Sequence, residues 1–263
     1  MQINMKTKIM VSIVLCILMI FSINVFARDI SKPHNWYVKR VPNNERPSAD
    51  LNMQFISDYN GYYIGSNPDN KILYLTFDAG YNNGNIEKIL DILKQHKVQG
   101  AFFVLEHLIE SNPELVKRMA AEDHLVCNHT MKHFDMTRVR NKEKFAEELN
   151  SLADLYKKCT GYDMPKFYRP PEGRFSEENL TFAKELGYKT IFWSFAYADW
   201  DNNKQPAPED AKFKILTNTH NGAVILLHPT SDTNAEILSD LITEWKNQGY
   251  KFGNLYQLTK NSM

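Results

Sequence analysis

The sequence predicts an α/β protein in which parallel strands alternate with helices. Short apolar runs of strand length recur along the chain, and each is followed by apolar residues at helical spacing. The connections are short, and no repeat or low-complexity tract interrupts the alternation. This order implies parallel strands joined by right-handed crossovers. About seven units favour a closed or nearly closed barrel over an open sheet, although the spacing alone is compatible with both.

The alternation begins at Lys71 and can be followed to the end of the chain. The predicted strands are residues 73–77, 101–104, 125–127, 167–168, 190–195, 223–227 and 250–252. The predicted helices are residues 86–96, 113–122, 141–159, 176–186, 208–216 and 234–246. Pro113 suits a first helical position, where its missing N–H would have no partner anyway. Gly161 and Gly187 end two helices, because glycine readily adopts the left-handed conformation of a helix C-terminus.

Two segments are predicted to precede the main domain. Lys6 and Lys8 lead into an apolar run over residues 9–23, which is typical of a secretory signal peptide covering residues 1–27. An uncleaved membrane anchor is the alternative, although the run is short for a membrane span. Residues 28–62 are rich in Asn, Pro and Tyr, and we interpret them as an N-terminal arm that wraps a catalytic domain of residues 63–263. Either way, the domain is expected to be exported and to act outside the cytoplasm.

The composition argues against nucleic acid as a binding partner and against a fold held together by disulfides. Without residues 1–27 the chain has slightly more acidic than basic residues, which gives no electrostatic basis for binding nucleic acid. Only Cys127 and Cys159 then remain, too few for a disulfide framework. A bridge between them is conceivable, but two buried thiols are the default expectation. The length suits one domain with a sizeable core, which we expect to be a monomer that contacts a membrane only if the N-terminal segment is retained.

Five polar residues stand where short apolar runs end. Because the carboxyl ends of parallel strands gather on one rim of a barrel, residues far apart in sequence could converge there on one pocket. This pattern predicts a hydrolase. The five residues are Asp78, His129, Arg169, Asp199 and His228.

Two of these positions have chemical alternatives. His129 and His133 are close enough to aim at one cation, and neutral imidazole suits zinc and other late first-row metals. Such a pair alone is weak evidence, since most are solvated, but this pair follows a strand end. Asp78 could simply cap the helix that begins near Asn85, or it could be the base that takes a proton from an attacking water.

The remaining three residues fit acid and base roles. Arg169 precedes a rigid Pro-Pro pair, and a guanidinium near Asp78 would lower the pKa of that carboxyl and fix its orientation. An Asp199 carboxylate bonded to His228 would favour the imidazolium, which makes a general acid. Amide hydrolysis needs an activated water, a stabilised oxyanion and a proton for the departing amine. Asp78, a metal and His228 can supply all three.

Five segments in order resemble the signature motifs of the polysaccharide deacetylases, the NodB-homology group or carbohydrate esterase family 4. The resemblance covers residues 63–258. A variant first motif, the stretch Trp193–Trp200 and the arm segment Trp36–Arg40 are most similar to the muramic δ-lactam-forming de-N-acetylases of spore-forming bacteria. The five segments are Thr76-Phe-Asp-Ala-Gly80, Asn128-His-Thr-Met-Lys-His133, Arg169-Pro-Pro-Glu-Gly173, Asp199-Trp200 and Leu226-Leu-His228.

The resemblance implies a distorted (β/α) barrel that removes acetyl groups from N-acetylated sugars in a glycan. It implies that Asp78 is the general base with Arg169 as its partner. It further implies that His228 is the general acid, tuned by Asp199. The remaining implied site residues are the metal ligands His129 and His133, the acetyl-pocket walls Trp200 and Leu226, and the substrate-contacting Glu172 and Gly173.

The sequence departs from the family pattern at two positions. Ala79 stands where a second Asp usually binds the metal, so we expect a weakly bound divalent metal, zinc first and other first-row metals as alternatives. Glu172 stands where an aromatic residue is usual, although only the backbone N–H at that position is expected to hold the oxyanion.

The leading hypothesis is an exported, metal-assisted deacetylase of N-acetylmuramic acid in peptidoglycan glycan strands, leading to the muramic δ-lactam of spore cortex. One alternative is an N-acetylglucosamine deacetylase that acts on peptidoglycan or a chitin-like glycan. Another is a glycan-binding protein that has lost catalysis, for which Ala79 is the warning sign.

Overall fold

The computed structural model describes residues 29–41 and 43–260. The predicted signal segment, residues 1–27, lies outside these ranges. All described helices and strands lie in one compact unit, which begins at residue 31. Within the described ranges, no helix combines the length and the apolar character that crossing a membrane requires.

The described residues contain ten strands, arranged in a small ribbon and a larger curved sheet. The strands are β1 (His34–Asn35), β2 (Gly61–Tyr62), β3 (Ile72–Ala79), β4 (Ala101–Val104), β5 (Leu125–Asn128), β6 (Phe167–Tyr168), β7 (Arg174–Phe175), β8 (Lys189–Ile191), β9 (Val224–Leu227) and β10 (Lys251–Phe252). The strands β1 and β7 pair antiparallel in the ribbon. In the large sheet the order is β10-β3-β4-β5-β6-β8-β2, with β9 also paired to β3, and every pair is parallel.

The parallel sheet curls so that the segment beyond β8 is joined to β9 by a few backbone hydrogen bonds. Beyond the end of β8, Phe195 forms a single parallel bridge with Ile225 in β9. The Phe195 N–H donates to the Val224 carbonyl at 3.2 Å, and the Leu226 N–H donates to the Phe195 carbonyl at 2.9 Å. These bonds connect the β8 side of the sheet to β9, which itself pairs with β3. The predicted fold class, a distorted (β/α) barrel, is confirmed.

Helices surround the sheet. The six predicted helices are present within a few residues of their expected ends. Two short helices, Glu106–Ser111 and Leu255–Leu258, were not predicted. A further 3₁₀ segment covers Leu51–Tyr59, and short ones cover Met136–Arg138 and Pro171–Gly173. The α-helices are α1 (Asn85–His96), α2 (Glu106–Ser111), α3 (Pro113–Ala121), α4 (Lys142–Thr160), α5 (Glu177–Glu185), α6 (Pro208–Thr217), α7 (Asp232–Asn247) and α8 (Leu255–Leu258).

Strand β3 shows how the two faces of the sheet differ. Leu75, Phe77 and Ala79 belong to the large apolar core that also contains residues of α1 and α7. Tyr74 belongs to a second apolar cluster on the other face. Because side chains alternate along a strand, Asp78 shares the face of Tyr74, inside the curled sheet and near its carboxyl edge.

The N-terminal arm is bonded to the part of the barrel that follows β6 and β8. The Trp36 N–H donates to the Gly173 carbonyl at 2.8 Å, and Trp36 Nε1 donates to the Trp193 carbonyl at 2.9 Å. The indole also stacks on Phe192, with ring centroids 4.5 Å apart. The last two residues of the predicted arm form β2 and join the sheet beside β8, while the domain boundary at residue 63 stays a prediction.

The two cysteines in the described ranges are free thiols. Cys127 is buried in β5, whereas Cys159 near the end of α4 is only half-buried. The expectation of thiols is therefore confirmed, and the expectation that both are buried is wrong for Cys159. Its position near the C-terminal end of an outer helix leaves one side towards solvent.

Candidate active site

The predicted site residues gather at the carboxyl edge of the parallel strands, around a cavity of about 650 Å³. Arg169 and Asp199 do not line this cavity but lie behind two residues that do, Asp78 and His228. The predicted residues that line the cavity are Asp78, His129, His133, Glu172, Gly173, Trp200, Leu226 and His228.

Asp78 is held by a buried arginine. Arg169, which follows β6 and is fully buried, donates from Nη1 to Asp78 Oδ1 at 2.7 Å. Burial alone would raise the pKa of Asp78, but the charge of Arg169 and smaller effects of His129 and His228 outweigh it and hold the pKa below its ordinary value. Asp78 is therefore a carboxylate at neutral pH. It does not cap α1, whose N-cap is Gly84.

The guanidinium of Arg169 is itself fixed on several sides. Its Nη2 donates to Thr76 Oγ1 at 2.9 Å, and its Nε donates to the Ile191 carbonyl at 2.9 Å. Its Cζ lies 4.2 Å from the centroid of the Phe103 ring. A planar, always charged group held in this way orients the Asp78 carboxylate by a bond of fixed direction.

His129 directly follows β5 and has a defined tautomer. Its Nδ1 lies 2.8 Å from the Arg169 carbonyl oxygen, which can only accept, so Nδ1 carries the proton. Its Nε2 is then a free acceptor, 3.7 Å from Asp78 Oδ2. Burial lowers the pKa of His129 to about 4, so the imidazole is neutral at pH 7. The ring centroid of His133 is 5.0 Å away, at an interplanar angle of 73°.

These donors fit a metal site, though an incomplete one. Two neighbouring imidazoles and a carboxylate are the ligand types that zinc prefers. Among residues 29–41 and 43–260, however, no group of three or more His, Cys, Asp or Glu side chains is arranged to hold a metal ion. Ala79, where the family pattern has a second Asp, has its side chain in the apolar core and supplies no ligand.

His228 directly follows β9 and is held by Asp199. Its Nδ1 lies 2.7 Å from Asp199 Oδ1, and its backbone N–H donates to Asp199 Oδ2 at 2.9 Å. Burial lowers the pKa of His228, but the hydrogen bond and charge of Asp199, together with the charge of Asp78, outweigh it, and the pKa lies above its ordinary value. The imidazolium thus persists to a higher pH than that of a free histidine.

Asn234 supports this pair, and the sequence did not indicate it. Its side-chain Nδ2 donates to Asp199 Oδ2 at 2.7 Å and to the His228 carbonyl at 3.1 Å. Its Oδ1 accepts a hydrogen bond from Tyr197. Asn234 lies in the first turn of α7, where its backbone N–H is capped by Ser231. A capping pattern was the available signal, and it indicates a helix start, not a partner of Asp199.

The residues predicted to contact substrate differ in exposure. Trp200 is 62 % exposed, with its ring 6.3 Å from that of His228, whereas Leu226 is only 5 % exposed. Pro170–Gly173 form a tight turn in which the Gly173 N–H donates to the Pro170 carbonyl. Glu172 occupies its third position with φ 56°, where glycine is usual, at a backbone cost of about 1 kcal/mol. It also lines the cavity.

Gly173 is required by the packing beside this turn. Its φ is 65°, and a Cβ at this position would lie 2.7 Å from the ring of Trp193. Trp193 lines the cavity as well, although the sequence motifs did not assign it a role. Any side chain larger than that of glycine at position 173 would therefore collide with this ring.

The fold and site define a hydrolase that acts on amide bonds. The chain belongs to the polysaccharide deacetylase family, whose profile matches residues 65–191. It is 42 % identical over 229 residues to the peptidoglycan-N-acetylmuramic acid deacetylase PdaA of Bacillus subtilis, covering 87 % of this chain and 86 % of that protein. Enzymes of this family are metalloenzymes.

Two further comparisons support membership of this family. The solved structure of Bacillus subtilis PdaA, described as a family 4 carbohydrate esterase, superposes with a TM-score of 0.84 at 40 % identity, covering 89 % of this chain and 99 % of that one. A peptidoglycan-N-acetylglucosamine deacetylase of Bacillus cereus is 34 % identical over 205 residues, covering 76 % of this chain and 73 % of that protein.

We expect Asp199→Asn to shift the pH dependence of activity. The substitution removes the charge that raises the pKa of His228, while burial continues to lower it. A general acid acts only when protonated, so the alkaline limb of kcat/KM should move to lower pH and activity at pH 8 should fall by at least about tenfold. Asp201→Asn, at an exposed neighbouring position, is the control and should keep the wild-type profile. An unshifted profile for Asp199→Asn would contradict the coupling.

Proposed function

We propose that this protein hydrolyses the N-acetyl group of N-acetylmuramic residues in peptidoglycan glycan strands. The observation that carries the proposal is that Asp78, kept ionised by Arg169, and His228, kept protonated by Asp199, line the same cavity. A base and an acid thus flank the space that an acetamide would occupy. The similarity to PdaA, whose name specifies N-acetylmuramic acid, supports this choice of sugar.

Asp78, Glu172 and His228 are proposed to act at successive steps of the reaction. Asp78 Oδ1 is bonded to Arg169, which leaves Oδ2 to take a proton from the attacking water. The water oxygen then bonds to the acetyl carbon, and the backbone N–H of Glu172 is proposed to stabilise the oxyanion. With Nδ1 committed to Asp199, His228 delivers a proton from Nε2 to the departing nitrogen as the C–N bond breaks. The products are acetate and a free amine.

A divalent metal is proposed to be held by His129 and His133, with zinc as the expected ion and other first-row metals as alternatives. When bound, it would polarise the acetamide carbonyl and acidify the attacking water. The Arg169 carbonyl keeps the proton of His129 on Nδ1, which leaves Nε2 available as a ligand. Affinity should be low, because Ala79 adds no anionic ligand to the two neutral imidazoles.

The surroundings of the acetyl group and of the glycan follow from the same cavity. Leu226 and Trp200 are proposed to wall the space for the acetyl methyl, and Glu172 and Gly173 to contact the sugar.

We further propose that the protein is exported, with residues 1–27 as signal, and acts on the cell wall as a monomer. On a muramic residue without a peptide stem, the new amine can close onto the lactyl carboxyl as a six-membered δ-lactam.

Asp78→Asn should abolish turnover, because it removes the base and adds no bulk. His228→Ala should lower kcat on the order of 10²–10⁴-fold, as expected for loss of a general acid. Acetate release is the measurement, with circular dichroism to show that the fold is retained. His107→Ala, at an exposed histidine on α2, is the matched control and should behave as wild type. Near wild-type rates in either of the first two variants would contradict the assigned roles.

A chelator should suppress acetate release, and added zinc or another divalent metal should restore it. Equilibrium dialysis should show weaker metal binding in His129→Ala and His133→Ala, since each removes one of two imidazole ligands. The same His107→Ala variant should bind metal as tightly as wild type. An enzyme that stays fully active in chelator, with dialysis showing no bound metal, would refute metal assistance.

The substrate is tested by comparing stem-free glycan strands, intact peptidoglycan and N-acetylglucosamine oligomers. We expect the fastest acetate release from stem-free strands, with mass spectrometry locating the lost acetyl on muramic residues. Faster release from N-acetylglucosamine oligomers would instead support the activity named for the Bacillus cereus relative. Binding to the strands without any release of acetate would support a non-catalytic glycan-binding protein.

A further inference from the structure

We propose that Arg40, which the N-terminal arm presents beside the catalytic cavity, binds a carboxylate of the glycan strand. The inference rests on the proposed function. Stem-free muramic residues carry a lactyl carboxylate, and N-acetylglucosamine carries no acid. The arm would thus contribute to substrate choice.

A second cavity, of about 420 Å³, lies between the arm and the segment that follows β8. Trp36, Tyr37, Val38 and Arg40 form its arm side, and residues 193–196 form its other side. Trp193 and Ala196 also line the catalytic cavity, so the two spaces adjoin at these residues. A glycan strand that extends from the catalytic cavity in this direction would meet Arg40.

Arg40 has the charge and the free donors that a carboxylate needs. Its Nη2 donates to the Ala196 carbonyl at 2.8 Å, and its Cζ lies 5.8 Å from the centroid of the Phe195 ring. Across residues 29–41 and 43–260, no acidic side chain forms an ion pair with it. A guanidinium carries five N–H donors in a plane that matches a carboxylate, so most of them are available to a ligand.

The arm is fixed well enough to place this charge. The backbone of Trp36 is bonded to Gly173, and its indole is bonded to the Trp193 carbonyl and stacked on Phe192. The neighbouring Tyr37 donates its hydroxyl to Asp50, and the residue is 52 % exposed, so its ring can offer a flat apolar surface to a sugar face. The contacts of Trp36, four residues before Arg40, fix the arm beside the turn that carries Glu172.

The same contact would distinguish stem-free from stem-bearing strands. A free lactyl carboxylate can accept two parallel N–H bonds from a guanidinium. When a peptide stem is attached, the carboxyl becomes an amide and its charge is lost. The carboxylate could belong to the muramic residue in the catalytic cavity or to the next muramic residue along the strand.

The test combines protein variants with a substrate change. The variants are Arg40→Gln, which keeps an N–H for the Ala196 carbonyl, and Arg40→Lys, which keeps the charge without the planar fork. The substrates are stem-free glycan and the same glycan with its lactyl carboxyls converted to methyl amides. Lys39→Gln is the matched control, because it removes an adjacent exposed charge that does not line the cavity.

On the carboxylate substrate, we expect Arg40→Gln to raise KM on the order of tenfold with little change in kcat, as for loss of a charge-assisted hydrogen bond. Arg40→Lys should be intermediate, and Lys39→Gln should match wild type. On the amidated substrate, Arg40→Gln and wild type should be equal. Equal KM on the carboxylate substrate, or an equal loss on both substrates, would overturn the proposal.

Two further comparisons separate the outcomes. If wild type releases no acetate from muramic glycan, the proposed function fails; if it does and Arg40→Gln shows no carboxylate-specific loss, only the role of Arg40 fails. A disaccharide with one muramic residue and a tetrasaccharide with two identify the source. A loss on both assigns the carboxylate to the residue in the catalytic cavity, and a loss only on the tetrasaccharide assigns it to the next one.

Discussion

Both the barrel and the site depend on the hydrogen bonds of one buried residue, Arg169. It donates to Asp78 and Thr76 in β3 and to the carbonyl of Ile191 in β8, while its own backbone carbonyl accepts from His129 after β5. One residue thus joins strands that are far apart in sequence and fixes both the Asp78 carboxylate and the tautomer of His129. A buried ion pair adds little net stability, but removal of one partner typically costs about 3–5 kcal/mol. The architecture therefore tolerates little change at this position.

Two aspartates serve opposite purposes because their partners differ. Asp78 faces an arginine that cannot lose its proton, so the carboxylate stays ionised and can accept one. Asp199 faces a histidine, so its charge is used to keep a proton on the partner. The pKa of Asp78 is lowered and that of His228 is raised, which widens the range of pH in which Asp78 is a carboxylate and His228 is an imidazolium.

The sequence predicted the features that depend on local pattern. The long strands and helices were found because apolar periodicity extends over whole elements, and the five rim residues because each follows such a run. Helix α2 was missed, since six residues are too short to display a stripe. The strand predicted to reach Phe195 leaves its ladder after Ile191, because this apolar stretch turns to meet β9. Asn234 was missed because its role depends on a partner 35 residues away in sequence.

The attachment of the arm also bears on the order in which the molecule is completed. Trp36 is bonded to a carbonyl 157 residues further along the chain and stacks on a ring in the same region. The pairing of β3 with β10 joins residues even further apart in sequence, so the barrel and the arm both depend on residues that are synthesised late. The ring and the carbonyl that Trp36 contacts follow β8, so the arm can dock only once that segment is in place. A chain with an undocked arm would keep its paired charges, which form between residues outside the arm, but one edge of its cleft would be open.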